Sequence, residues 1–229
     1  MPLTEIDISL QANPSMRDDL PKARFTNLWR RCLVPGAQSD IDAIWETIQA
    51  GYGEPNRRYH GNSHLLHSLA QFDLAIGYVE SPDAVETAIW FHDVIVEPGR
   101  KDNEQRSVDL FREVASDALE SDFVDRVTNL ILVTTHCAPL CTEDQRLMCD
   151  IDLASFGRSW EGFLEDSAAV KAEFRGAEED YLRGKRAFLQ GLLQRPRIFR
   201  TEFFHDRYEA RARDNIARFI RLLEEQQSA

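Results

Sequence analysis

No run of about eighteen apolar residues occurs in this chain, so no segment is expected to span a bilayer. Cysteine is scarce. The four present, Cys32, Cys137, Cys141 and Cys149, have spacings that match neither a zinc ribbon nor a redox pair. A small disulfide scaffold is excluded, and reduced, buried thiols in a cytosolic protein are expected. Positive charge is also short: 27 Lys and Arg stand against 39 Asp and Glu, a formal net charge of −12. Phosphate backbones and anionic bilayers would be repelled, so neither duplex nucleic acid nor membrane is expected as a partner. A small phosphorylated substrate remains compatible, because a bound metal and a few local arginines can reverse the field inside one cleft. The first residues, Met-Pro-Leu-Thr-Glu-Ile-Asp, lack the basic and apolar regions of a signal peptide, which points to a cytoplasmic location. Alternation with period two is missing throughout, as are internal repeats and low-complexity linkers.

What the chain has is helical periodicity. At 229 residues with 43% hydrophobic content it can bury a substantial core in one domain. Ile41, Ile44, Trp45 and Ile48 form an i, i+3, i+4, i+7 stripe and predict a helix over Asp40 to Ala50. A loop carrying Gly51, Gly53 and Pro55 follows. Asn62 then opens a helix to about Val79, and Ser81-Pro82-Asp83 begins another from Ala84 to about Val94. Asp102 reads as an N-cap with Gln105 at the third helical position, a variant capping box opening a helix to about Leu119. Further helices are predicted over Phe123 to Thr135, Glu143 to Ala154, Trp160 to Phe174, Tyr181 to Leu193 and about Asp206 to Glu225. Residues 1–24, rich in Pro, Ser and Asp, read as a loosely ordered segment, and 25–229 as a single all-α domain.

Histidine is distributed unevenly. Of the six in the chain, His60, His64, His67 and His92 fall close together. His60, His64 and His67 have i, i+4, i+7 spacing and share a helix face. Taken alone, a histidine beside Leu65, Leu69 and Phe72 is more often a hydrogen-bonded core residue than a ligand, and His67 keeps that reading. His92-Asp93 follows the apolar run Ala88-Ile89-Trp90-Phe91. A carboxylate beside an imidazole at the end of a buried helix is costly unless paired or bound to a cation. Neutral imidazole with carboxylate suits Mn, Fe, Co, Ni or Zn better than Mg. Of the later acids, Asp150 and Asp152 stand about 200° apart on a helix and cannot both face one ion.

The order His64 … His92-Asp93 … Asp152 on an all-helical chain resembles the HD superfamily of metal-dependent phosphohydrolases. It is closer still to a bacterial subgroup of predicted HD phosphohydrolases of unassigned substrate. The shared elements are Arg58-Tyr59-His60-Gly61-Asn62-Ser63-His64, Trp90-Phe91-His92-Asp93, Asp102-Asn103-Glu104-Gln105-Arg106-Ser107, Thr135-His136, Asp150-Ile151-Asp152-Leu153 and Glu209-Ala210-Arg211-Ala212-Arg213-Asp214-Asn215. The resemblance implies an HD-type helical bundle with a metal site at its centre. His64, His92, Asp93 and Asp152 would be the ligands of one divalent transition metal per chain, with His136 a candidate extra ligand.

The YHxxxH element is similar to the entry motif of cyclic-nucleotide phosphodiesterases, which makes His60 the candidate general acid. Glu104 would accept a hydrogen bond from metal-bound water, and Asp150 would hold a ligand histidine or a water. Arg57, Arg58, Arg100, Lys101 and Arg106 flank the motifs, and Arg58, Lys101 and Arg106 are taken as candidate phosphate contacts. Two departures from the family stand out: Val96 replaces an aromatic Tyr three residues past His-Asp, and only His136 supplies an imidazole between His-Asp and the last Asp, one short of a dinuclear site. The activity implied is hydrolysis of a phosphoester, a nucleotide or a related small metabolite, by metal-activated water. The alternatives are an HD-fold di-iron oxygenase and a non-catalytic nucleotide-binding module. Oligomeric state is not legible.

Overall fold

The structure, a computed structural model, describes residues 20–137 and 139–227. Ten α-helices build it, with no strand among the described residues: α1 Lys22–Cys32, α2 Ile41–Tyr52, α3 Asn62–Ala75, α4 Pro82–Phe91, α5 Asn103–Ala115, α6 Ser121–Leu132, α7 Glu143–Leu153, α8 Trp160–Glu173, α9 Glu178–Gln194 and α10 Glu202–Gln227. The all-α reading holds. No helix among the described residues is long and apolar enough to cross a membrane. The expectation of a loose N-terminal segment falls mostly on residues outside those described. At its far end, however, Lys22–Arg24 already form the first turn of α1.

Helix α4 is the axis of the fold. Every residue from Ala84 to Phe91 is buried, which is why its sequence is apolar on all sides rather than striped. Phe25 and Trp29 of α1, Trp45 of α2, Trp90 and Phe91 of α4 and Phe111 of α5 pack ring against ring with centroids 5.2–6.5 Å apart. Full burial of each such side chain contributes roughly 1.5–3 kcal/mol, so this cluster dominates the anchoring of α4. Arg24 of α1 bridges Asp73 at the end of α3 and Glu86 near the start of α4, at 2.7 and 2.8 Å.

Three helix directions place the site. Asp144, in the first turn of α7, accepts hydrogen bonds from the backbone N–H groups of Glu80 and Ser81, at 2.8 and 2.9 Å, just ahead of α4. The two helices are 10 and 11 residues long and start together, so they run side by side and their C-termini also meet. Helix α3 runs against α4, which brings its N-terminus to the same point. At Gly51 an added Cβ would stand 2.4 Å from the Val94 carbonyl oxygen, so only glycine lets α2 close on the segment that follows α4.

Element ends differ from the sequence reading in instructive ways. Asp102 makes no cap hydrogen bond. Its carboxylate pairs with Arg100 at 2.6 and 2.7 Å, and Gln105 turns to Asp109, so the expected capping box does not form. A full capping box does form at Thr142 and Gln145, opening α7.

Candidate metal centre

Four side chains converge where the N-terminus of α3 meets the C-termini of α4 and α7. His64 lies in the first turn of α3, His92 caps α4, Asp93 follows it, and Asp152 is in the last turn of α7. His64 Nε2 stands 3.2 Å from His92 Nε2, 3.3 Å from Asp152 Oδ1 and 3.5 Å from Asp93 Oδ2. His92 Nε2 stands 3.3 Å from Asp93 Oδ2 and 3.8 Å from Asp152 Oδ1. Ligands about 2.1 Å from one ion stand about 3.0 Å apart at right angles and about 3.4 Å apart at the tetrahedral angle. The separations among His64, His92 and Asp152 are short enough for the three to share one ion. His64, His92 and Asp152 form the tightest group, and Asp93 joins it through the two imidazoles.

The chemistry of the donors fits a cation as well. His92 Nδ1 lies 2.9 Å from the Ile89 carbonyl oxygen, which has no proton to give. Nδ1 therefore carries the proton and Nε2 turns its lone pair to the centre, the tautomer a metal requires. Two carboxylates and two neutral imidazoles sum to −2, the complement of a divalent ion. Both carboxylates sit at helix C-termini, where the backbone dipole already places partial negative charge, and a cation relieves that clash. In the absence of a cation, protons do part of this work. Burial opposes the imidazolium of His92, but Asp93 and Asp152 outweigh it and raise the group to about 9. Burial likewise pushes Asp93 and Asp152 up, and their histidine neighbours hold both well below the usual carboxylate range.

His136 adopts the left-handed backbone region at φ 56°, an uncommon state for a residue with a side chain. This strained turn aims Nε2 at Asp152 Oδ2, 2.8 Å away, so His136 touches the oxygen that faces away from the two imidazoles. Arg57 is almost wholly buried and donates to the carbonyls of Asp93, Val94 and His60, at 2.9 Å for Val94 and 3.1 Å for His60. It clamps the end of α4 to the YHxxxH loop.

His60 is held by a residue that sequence reading missed. Glu173, buried at the end of α8, accepts from the backbone N–H groups of Arg58, Tyr59 and His60 at 2.6, 2.7 and 3.0 Å, and its other oxygen lies 2.5 Å from His60 Nδ1. Burial disfavours the charged imidazole, yet the Glu173 hydrogen bond and the charges of Asp93 and Asp152 raise His60 above its ordinary value. Nothing local marks Glu173 in the sequence: it stands 113 residues from His60 and is brought back by the fold alone.

A cavity of about 420 Å³ opens on the centre. His60, Asp93, Glu104, His136 and Asp152 line one part of it, and Phe156, Phe163, Val170, Phe174, Phe188 and Lys185 another. Glu104 lines the cavity, without a hydrogen bond or ion pair to His64, His92, Asp93 or Asp152.

Four other expectations fail. Asp150 does not hold a histidine or face the centre. Its carboxylate accepts from the backbone N–H groups of Arg200 and Thr201 and from the Thr201 hydroxyl, each at 2.7 Å, because the 200° offset from Asp152 turns it to the start of α10. Lys101 is exposed and lines no described cavity, and Arg106 pairs with Glu97 at 2.9 Å. Arg58 does not line the main cavity but a neighbouring one of about 230 Å³, with His64, His67 and Arg158, which shares Tyr59, Ser155 and Asp166 with it. The cation that does line the main cavity is Lys185.

Comparisons of this chain with protein-family models, with curated proteins and with solved structures found no match.

Proposed function

We propose that this chain is a metal-dependent phosphohydrolase of the HD superfamily, with His64, His92, Asp93 and Asp152 as the ligands of one divalent transition metal. The observation that carries the reading is the approach of His64 Nε2 and His92 Nε2 to each other and to Asp93 Oδ2 and Asp152 Oδ1, at 3.2–3.8 Å, which gathers two imidazoles and two carboxylates at one point. A divalent ion held there would acidify a bound water and draw charge from phosphorus.

The remaining work belongs to the chain. His60 lines the cavity with Nδ1 fixed on Glu173, which leaves Nε2 as the atom free to face a substrate. Its raised pKa favours the protonated imidazole, the form a general acid for the departing oxygen takes. Glu104 offers a carboxylate acceptor on the same wall for a water or a substrate hydroxyl. The aromatic side of the cavity accommodates the organic part of the ester, such as a nucleobase.

The oxygenase alternative requires a second metal. Among the described residues the one other suitable group is Glu202, His205 and Asp206, partly exposed on α10 rather than in the cavity. A phosphoester panel with Mn, Co, Ni or Zn added in turn tests the proposal. Hydrolysis that depends on metal and is lost in Asp93→Ala and His92→Ala with unchanged helical content is expected. Equal rates in chelated wild-type protein would reject it.

A further inference from the structure

The far wall of the cavity holds a cation that the hydrolytic chemistry does not use. Lys185, on α9, is partly buried and lines the same cavity as the metal centre. Its ammonium has no hydrogen-bond or ion-pair partner among the described residues, and its nearest ring is Phe156, 5.7 Å from the centroid. Asp166 is the one carboxylate whose charge bears on it; its Oδ1 pairs with Arg158 at 2.6 Å, and its Oδ2 is buried on the same cavity without a hydrogen-bond partner. Lys185 forms no ion pair with Asp93 or Asp152, whose partners are the histidines. Between the two ends lie Phe156, Phe163, Val170, Phe174 and Phe188. Phe188 is 39% exposed although it is large and apolar. The other carboxylates on this wall have arginine partners: Asp180 pairs with Arg183, and Asp166 with Arg158.

A cation set against aromatic walls, with Asp166 acting on it but no ion pair of its own, is costly unless something anionic visits it. The crowding is enough to pull Lys185 down to about 8. We propose that Lys185 is the anchor of a second binding subsite, which takes an anionic group, carboxylate or phosphate, at the end of an apolar or aromatic body. The substrate class is then an elongated amphipathic phosphoester with its scissile group at the metal centre and a second negative charge at Lys185. The near end rests on the phosphohydrolase reading, whereas the far end rests on the cavity alone.

The far end can therefore be tested without metal. Metal-free wild-type protein is titrated calorimetrically with 2-naphthoate and with its neutral isostere 2-naphthamide. Naphthoate is expected to bind at least about tenfold more tightly, the effect of one charge-assisted hydrogen bond. Lys185→Met should abolish that preference while leaving naphthamide binding in place, and Lys185→Arg should restore most of it. Melting temperatures confirm that each variant is folded, and Lys185→Gln serves if the methionine variant is not. Persistence of the preference in Lys185→Met, or failure of both probes to bind wild-type protein, would overturn the proposal. Neither result touches the metal reading, whose own failure would leave the naphthoate preference intact.

Discussion

At the scale of single residues, His60 and Glu173 act as a pair. Replacing His60 by Asn should slow hydrolysis of alkyl phosphoesters by roughly 10²–10⁴, the usual worth of general acid catalysis. A 4-nitrophenyl ester, whose leaving group departs without a proton, should suffer much less. Comparing the two substrates measures the role directly, and an equal loss on both would assign His60 to binding instead. Glu173→Gln removes the charge that keeps His60 protonated. The acid form is needed for turnover, so the alkaline limb of the pH–rate profile should move to lower pH in that variant.

His67 makes a contrasting case. Burial lowers it from 6.5 to about 4, and its Nε2 is buried without a partner. A histidine depressed in the folded state contributes stability above pH 6.5 that is lost as pH falls towards 4, because the unfolded chain takes up the proton first. His67→Leu should flatten the fall in melting temperature across that window. The same fall in wild type and variant would remove His67 from the account. These residues also mark what sequence could supply. His64, His92, Asp93 and Asp152 were legible because YHxxxH, His-Asp and Asp-x-Asp-Leu are short motifs that carry the family resemblance. Glu173 and Lys185 were not, since each acts through a tertiary contact with no local pattern.

At the scale of elements, periodicity located nine of the ten helices and missed α1. Its buried stripe is only Phe25, Leu28 and Trp29, set among charged residues and directly behind Pro21, too short to register as a repeat. Yet it closes the aromatic cluster over α4. Trp90→Ala, at the centre of that cluster, should cost about 3–5 kcal/mol by chemical denaturation, a loss set by the cavity it leaves. Asp150 was legible as important but not for the right reason. It sits in a ligand-like motif, while the turn of α7 points it at α10. Asp150→Ala should destabilise the protein by about 1–3 kcal/mol through the freed backbone N–H groups and leave metal content unchanged. Loss of metal without loss of stability would return Asp150 to the centre.

At the scale of the molecule, a chain of net charge −12 gathers two further carboxylates at the C-termini of two parallel helices and opposes them with two imidazoles. Without a cation, protons on the imidazoles offset those carboxylates. The fold class could be read from the sequence because helix periodicity is one-dimensional, and the residues of the centre were named through the family resemblance, since spacing alone left Asp150 and Asp152 open. The cavity depends on residues of α8 and α9 that line it, which no spacing encodes. The most direct test is metal content by elemental mass spectrometry on protein purified without chelator or nickel affinity, with Asp93→Ala alongside. About one transition-metal ion per wild-type chain, absent from a folded Asp93→Ala, is the expected result. Wild-type protein that holds no metal even after reconstitution would contradict it.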